Sequence, residues 1–218
     1  TGRFGNWLEN MVDWNLSRSR FWGTPLPIWI SEDGTEVKCI GSIEELMDEL
    51  RHADKVLNLN QAEVYDRDVE KLDLHKPVVD QLVLATKDGK PMHREPDLID
   101  VWFDSGAMPY AQWHYPFENK KEHKHNFPAD FIAEGVDQTR GWFYTLHVLG
   151  VMLFDSVAYK TVVSNGLVLD KNGNKMSKRL GNVVDPFKTI DENSADATRW
   201  YLITNASPWD SMKFDLAG

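Results

Sequence analysis

Short apolar runs alternate with a helical pattern in the second half of the chain, and this alternation constrains the fold more than any other feature of the sequence. Residues 131–133 form one apolar run, and residues 161–163 form another. Between them, residues 141–154 place Trp142, Leu146, Leu149 and Leu153 on one face of a helix. Strands that alternate with helices indicate a layered fold. We therefore predict an α/β fold for this half of the chain.

The same half contains two further predicted elements. Residues 167–169 form a short strand, because they are apolar and are followed by Asn172-Gly173, a strong turn signal. Residues 195–204 form the last predicted helix. The α/β pattern thus extends to the end of the chain.

Residues 30–96 predict a small α+β insert without obvious chemistry of its own. Turn signals at Gly34 and Gly89 each indicate a pair of short strands. Residues 42–45 form a capping box that begins a short helix. The apolar stripe of this helix comprises Ile43, Leu46, Met47 and Leu50. Residues 1–30 contain a Pro-x-Pro stretch and predict loop and strand.

Composition excludes several classes of protein. The 218 residues carry a net charge of −10, the opposite of a basic nucleic-acid surface, so any RNA contact must be local or be made by parts of a larger protein. Cys39 is the only cysteine, which excludes a disulfide framework and favours a reduced, cytoplasmic setting. Residues 146–154 are too few to span a bilayer. The crowded His114, His123 and His125 have no further well-placed ligand, so we predict surface residues and no metal site.

The sequence K-M-S-K-R at residues 175–179 is the sharpest chemical feature. Two lysines three positions apart, with a hydroxyl between them, can surround nucleotide phosphates and stabilise charge on departing pyrophosphate. A solvated basic loop is the alternative. The run resembles the KMSKS loop of class I aminoacyl-tRNA synthetases, with Arg179 in place of serine. By that resemblance Lys175, Met176, Ser177 and Lys178 bind ATP, and Lys175 and Lys178 are catalytic.

The sequence E-G-V-D-Q at residues 134–138 follows a predicted strand. Ligands of open α/β sheets bind at the carboxyl ends of strands, although acidic residues also favour helix N-termini. Together with R-G-W-F at residues 140–143, the segment resembles that of the isoleucine, valine and leucine group of this family. By that resemblance the aminoacyl-adenylate is bound by Glu134, Gly135, Asp137 and Gln138.

The amino-acid preference is indicated by W-F-D-S-G at residues 102–106. It resembles the isoleucine members of the family, since valine members more often carry W-F-S-S-G. The resemblance makes Trp102 and Trp142 candidate walls of a branched aliphatic pocket, and core packing is the alternative for each. Residues 14–29 also resemble the family, and Arg18 and Arg20 there either meet phosphates or RNA or pair with carboxylates.

The resemblance implies a fold and a reaction. The fold is the second half of a Rossmann-like nucleotide-binding domain, with a parallel sheet and flanking helices. The substrates are isoleucine and ATP with Mg²⁺, followed by transfer to tRNA(Ile), in a monomer that has no membrane contact and no resident metal. The predicted segments are 1–29 after an absent editing insert, 30–96 as the insert, 97–193 with the K-M-S-K-R loop, and 194–218 at the start of a helical stem-contact region.

None of the seven histidines lies in an H-x-G-H setting, the second signature of this family. We therefore expect a catalytic-domain fragment of an isoleucine-specific synthetase that does not activate isoleucine alone. Three alternatives stay open: a valine or leucine member, a non-catalytic nucleotide- or RNA-binding module, and a small adenylyltransferase, which would need its own H-x-G-H.

Overall fold

A computed structural model describes residues 2–216, and it divides the chain into two compact units. One unit comprises Val12–Asp104, and the other comprises Thr1–Met11 with Ser105–Gly218. The first residue of the predicted segment 1–29 and the last two of the segment 194–218 lie outside the described residues.

Helices and strands alternate irregularly along the chain. The helices are α1 Arg3–Glu9, α2 Ile43–Leu57, α3 Ala62–Arg67, α4 Val101–Ala111, α5 Lys120–Asn126, α6 Trp142–Phe154, α7 Pro186–Asn193 and α8 Ala195–Thr204. The strands are β1 Ser17–Arg18, β2 Ile28–Ser31, β3 Val37–Cys39, β4 Leu84–Ala85, β5 Pro91–Arg94, β6 Leu98–Ile99, β7 Ala129–Gly135, β8 Tyr159–Asn165, β9 Val168–Leu169 and β10 Met212–Lys213. No helix of the described residues is long and apolar enough to cross a membrane.

The unit Val12–Asp104 is built on an antiparallel sheet in the order β3-β2-β5-β4. The two predicted hairpin turns are confirmed. Gly34 and Gly89 both adopt positive φ, at 68° and 76°, a conformation that glycine tolerates without strain. Trp29 is buried beneath the sheet, and its indole N–H donates to the Leu82 carbonyl at 2.9 Å. Trp29 thus belongs to a largely aliphatic core that supports the sheet.

Helix α2 covers this core and begins where the capping box predicts. The Ser42 hydroxyl accepts the Glu45 backbone N–H at 3.0 Å, and the Glu45 carboxylate accepts the Gly41 backbone N–H at 2.7 Å. The predicted stripe is confirmed at the buried residues Leu46, Met47 and Leu50. Ile43 of the stripe is the first residue of the helix and is 45% exposed.

An ion pair with a buried guanidinium lies at the end of β5 in the same unit. The Arg94 side chain is 1% exposed, and its Nε donates to Asp80 Oδ1 at 2.7 Å. A guanidinium nitrogen also donates to the carbonyls of Leu26 and Asp97, each at 3.1 Å. All of these acceptors are needed, because an uncompensated buried guanidinium is strongly destabilising.

The other unit contains parallel strands, as an α/β pattern predicts. β7 and β8 pair in parallel and are connected through α6. Ile132 of β7 packs with Phe143 and Leu146 of α6 in a buried cluster. The mixed α/β character is therefore confirmed. The described residues form two separate parallel pairs, β7-β8 and β9-β10, rather than a larger parallel sheet.

The pair β9-β10 joins the end of the chain to the strand that precedes the lysine motif. The Leu167 carbonyl accepts the Met212 backbone N–H, and the Leu169 carbonyl accepts the Phe214 backbone N–H, both at 2.9 Å. Gly166 lies so close to the returning chain that an added Cβ would stand 2.0 Å from the Asp210 carbonyl oxygen. This crossing requires glycine.

Two sequence predictions in this unit are wrong. Residues 3–9 form helix α1 rather than loop and strand, because tertiary contacts hold it: Phe4 packs edge-on against His147 and Trp7 against Tyr144, each pair of rings at 5.9 Å. His123 is not a surface residue, since it is only 5% exposed.

The imidazole of His123 lies inside an aromatic cluster. Its ring is stacked 4.3 Å from Tyr115 and 5.2 Å from Phe127, and Phe154 lies 5.0 Å away. Its Nε2 is buried without a hydrogen-bond partner in the described residues, and burial lowers the pKa of the imidazole. His125, two positions on, is exposed as predicted.

Candidate functional site

The lysine motif occupies a loop between β9 and α7. Lys175 forms an isolated antiparallel bridge with Leu169, which closes the turn at Asn172-Gly173. Ser177 then caps a short 3₁₀-helix, Lys178–Leu180, by accepting the Leu180 backbone N–H at 3.2 Å. The backbone therefore holds the motif at both ends.

Two half-buried residues of the motif lie between exposed lysines. Lys175 and Lys178 are exposed, whereas Met176 and Ser177 are half-buried. Neither lysine has a carboxylate within salt-bridge distance in the part of the chain that the structure describes. Two ammonium groups without anionic partners are available to an anionic ligand such as a polyphosphate.

The Glu-Gly-Val-Asp-Gln segment lies where β7 ends. Glu134 and Gly135 are its last residues, and a 3₁₀-helix, Val136–Arg140, follows. Glu134 and Asp137 are exposed. An added Cβ on Gly135 would stand 2.6 Å from Asp137 Oδ1, so the glycine gives the carboxylate room to fold over the strand end.

Gln138 and Trp142 hold the beginning of α6. The Gln138 side-chain carbonyl accepts the Trp142 backbone N–H at 2.9 Å. The Trp142 indole N–H donates to the Ser105 carbonyl at 3.0 Å, and its ring packs against the buried cluster of α6. Both residues thus contribute to packing, which was the alternative for Trp142, whereas their predicted contacts with a ligand stay predictions.

Helix α1 covers the same segment from its outer side. The Arg140 guanidinium lies 4.8 Å above the ring of Trp7, a distance at which a cation is attracted to an aromatic face. Arg140 is therefore engaged with Trp7, and within the described residues it forms no salt bridge with the neighbouring Asp137.

The unit Val12–Asp104 positions the other predicted residues. The Asp100 carboxylate accepts hydrogen bonds from the Trp14 indole at 2.8 Å and from Arg18 at 2.7 Å, and it accepts the Trp102 backbone N–H at 3.2 Å. Arg18 therefore pairs with a carboxylate, one of its two predicted fates. Trp102 lies in the first turn of α4 and is 42% exposed.

Asp104 of the W-F-D-S-G sequence is partly withdrawn from solvent. Burial raises the pKa of its carboxyl, and the hydrogen bond from the Thr24 hydroxyl, at 3.2 Å, opposes the rise. The repulsion from the nearby Asp100 carboxylate adds to the rise. Asp104 therefore holds its proton more readily than an ordinary aspartate.

The strand register relates the two candidate segments of the larger unit. Glu134 stands opposite Ser164 of β8, and Gly135 stands opposite Asn165. From Asn165 the chain passes through β9 into the loop that contains the lysine motif. No hydrogen bond or salt bridge of residues 2–216 connects the two segments directly.

Sequence reasoning missed four residues that the structure brings to these segments. Ser164 and Asn165 lie at the carboxyl end of β8, where the strand-end rule points to a ligand. The Ser164 hydroxyl is buried without a partner in the described residues. Asp170 and Asn182 bracket the lysine motif and are hydrogen-bonded to each other at 2.9 Å. Among the described residues, no group of three or more His, Cys, Asp or Glu side chains has the arrangement of a metal site.

Comparison with known proteins identifies relatives of the whole chain. The profile of the tRNA synthetases class I (I, L, M and V) matches residues 1–215. An isoleucine–tRNA ligase from Cytophaga hutchinsonii is 69% identical over 217 residues, and one from Thermus thermophilus is 53% identical over 213 residues. The chain is covered at 100% and 98%, but it spans only 19% of either relative.

A solved structure shares the fold. It is the ternary complex of LeuRS from Agrobacterium radiobacter K84 with tRNA and LeuAMS, with a TM-score of 0.65 and 20% identity. The match covers 98% of this chain and 28% of that chain. At this identity the likeness concerns the fold alone.

Proposed function

The chain belongs to the class I tRNA synthetases of the I, L, M and V group, and from this premise we propose that it is part of an isoleucine–tRNA ligase. The exposed and unpaired state of Lys175 and Lys178 carries the proposal, because it fits a loop that binds polyphosphate. The choice of isoleucine rests on the high identity to isoleucine–tRNA ligases over the full length of this chain.

In the proposed reaction the carboxylate of isoleucine attacks the α-phosphate of ATP·Mg²⁺. The bond from the α-phosphorus to the bridging oxygen breaks, and pyrophosphate leaves with the electron pair. Lys175 and Lys178 stabilise the negative charge that builds on the departing phosphates, with no protein nucleophile. The acyl group of the adenylate then passes to the terminal ribose hydroxyl of tRNA(Ile), and AMP leaves.

The Glu134–Gln138 region is proposed to bind the adenylate. The exposed carboxylates of Glu134 and Asp137 are available to a ribose hydroxyl or an ammonium group, and Gly135 gives the Asp137 carboxylate room at the strand end. Gln138 is proposed to serve this ligand with the part of its amide that does not cap α6. Trp102 and Trp142 remain candidates for contacts with the branched side chain of the amino acid.

The finer architecture is part of the proposal. We assign β7-β8 and β9-β10 to one Rossmann-like nucleotide-binding domain, and the parallel direction of both pairs supports this. The division into segments 1–29, 30–96, 97–193 and 194–218 is proposed with it. A monomer in the cytoplasm completes the proposal, and the single cysteine, the exposed free thiol Cys39, suits a reducing compartment.

The test is ATP–pyrophosphate exchange by the full-length enzyme that contains this chain, with isoleucine, valine and leucine compared. We expect exchange to be fastest with isoleucine. Lys178→Ala should lower kcat by about 10²–10³-fold, the usual effect of removing one preorganised charge-stabilising group. Lys171→Ala is the matched control, because Lys171 is equally exposed in the preceding turn.

The outcomes separate the parts of the proposal. Faster exchange with valine would replace the isoleucine assignment by a valine one. Wild-type kcat in Lys178→Ala would show that the lysine loop does not carry the chemistry. Loss of exchange in Lys171→Ala as well would mean that general charge, rather than the motif, determines the rate.

A further inference from the structure

Asn182 connects three points of the lysine loop, which we define as residues 170–182. Its side-chain carbonyl accepts the Ser177 backbone N–H at 2.9 Å. Its amide donates to Asp170 Oδ2 at 2.9 Å and to the Lys175 carbonyl at 3.3 Å. One amide side chain therefore uses both its donor and its acceptor to hold the first and third residues of the K-M-S-K-R sequence.

Asp170 holds Asn182 from the base of the loop. Its other carboxylate oxygen accepts the backbone N–H groups of Asn172 at 2.9 Å and Asn174 at 2.8 Å, and the residue is 8% exposed. The hydrogen bond from Asn182 is the main cause that lowers the pKa of Asp170, and the backbone donors lower it further. The acceptor for Asn182 thus stays a carboxylate at neutral pH.

The exposure pattern of the motif fits this anchoring. Asn182 holds the backbone N–H of Ser177, and Met176 lines an apolar cavity of about 180 Å³ with Val168, Val184 and Phe214. Met176 and Ser177 are half-buried, whereas Lys175 and Lys178 on either side of them are exposed. Asn182 thus fixes the backbone from which the two exposed lysine side chains extend.

We propose that Asn182, supported by Asp170, is a positioning residue that orients Lys175 and Lys178 for the departure of pyrophosphate. The inference rests on the proposed function of the lysine loop. Because the Asn182–Asp170 pair acts on charge stabilisation in the transition state, its loss lowers kcat and leaves the KM for isoleucine nearly unchanged. A displacement of about 1 Å in such a group lowers the rate by about 10²-fold.

The experiment uses the full-length enzyme and measures kcat and KM in isoleucine-dependent ATP–pyrophosphate exchange. Asn182→Ala removes all three hydrogen bonds, and we expect kcat to fall about 10–100-fold. Asn172→Ala is the matched control, because Asn172 is exposed in the same loop and contributes only its backbone N–H. The control should keep wild-type kinetics.

Exchanging the side chains of Asp170 and Asn182 tests this pair without truncating either residue. Asn182→Asp alone places two carboxylates against each other and should be at least as harmful as Asn182→Ala. The double variant Asp170→Asn/Asn182→Asp restores a carboxylate–amide pair with donor and acceptor exchanged, and it keeps an acceptor for the Ser177 N–H. We expect it to recover about tenfold in kcat over Asn182→Asp, a typical coupling for contacting residues.

The final measurement separates positioning from general damage to the fold. If Asn182 acts through Lys175 and Lys178, Asn182→Ala should change kcat by less than about threefold in a Lys175→Ala/Lys178→Ala background, since groups that act as a unit are not additive. Equal effects in both backgrounds, or wild-type kcat in Asn182→Ala, would overturn the proposal. If Lys178→Ala alone kept full activity, the lysine assignment itself would be wrong, and the positioning role would fall with it.

Discussion

His123 should make the stability of its region depend on pH, and replacement by phenylalanine should remove this dependence. The imidazole is 5% exposed, lies between the rings of Tyr115 and Phe127, and has its Nε2 buried without a partner in the described residues. Protonation of such a ring requires the burial of an uncompensated charge. The folded state therefore resists the proton that the unfolded state accepts.

The sign and size follow from proton linkage. Burial lowers the pKa of the folded state below the unfolded value of about 6.5, so the stability is fully present above pH ~6.5 and is lost as pH falls through it. The loss continues down to the pKa of the folded state and is at most about 1.4 kcal/mol per pH unit. At about pH 5.5 His123→Phe should therefore be more stable than the wild type by up to about 1.4 kcal/mol relative to their difference at about pH 7.5.

Native-state hydrogen exchange of peptides that cover α5 and β7 measures this difference, after correction for the intrinsic pH dependence of exchange. His125→Phe is the control, because it lies on the same helix and is exposed. We expect up to a tenfold pH-dependent gain in protection for His123→Phe, and none for His125→Phe. An identical pH dependence in the wild type and His123→Phe would refute the reasoning, because the buried imidazole would then not resist protonation.

Two further predictions concern stability elsewhere. Asp80→Ala leaves the buried Arg94 guanidinium uncompensated and should destabilise its unit by about 3–5 kcal/mol. Asp66→Ala breaks an exposed ion pair and should destabilise the unit by less than about 1 kcal/mol. The urea-induced loss of exchange protection in β5 compares the two variants, and equal losses would contradict the argument. Asp185→Ala removes the acceptor for two backbone N–H groups at the start of α7 and should destabilise that helix by about 1 kcal/mol, visible as faster exchange in α7; unchanged exchange there would show that the cap is dispensable.

Elements with strong local signals were predictable from the sequence. The strand before Glu134, helix α6 and helix α8 follow from apolar periodicity, and the turns at Gly34 and Gly89 follow from the backbone freedom of glycine. Helix α1 was missed because Gly2 offers no side-chain cap and the helix is held by tertiary ring contacts. A local pattern cannot reveal contacts with a distant helix.

The candidate site likewise contains some residues that could be predicted from the sequence and others that could not. A phosphate-binding role for Lys175 and Lys178 could be predicted from residue type and spacing, and it stays a prediction. The support from Asp170 and Asn182 was not, since an aspartate and an asparagine on either side of a loop have many ordinary uses. The buried state of His123 was equally hidden, because its aromatic cluster is assembled from separate segments.

The crossing at Gly166 limits how this protein can be recombined with its relatives. The stem of the lysine loop, β9, has β10 as its hydrogen-bonded neighbour, although β10 follows α8 in the chain. A chimaera joined after α8 would take the lysine loop and β9 from one parent and β10 from the other. The two parents would have to agree at Gly166, because the backbone of Asp210 leaves no space for a side chain there. A junction beyond Phe214 takes the lysine loop, β9 and β10 from the same parent.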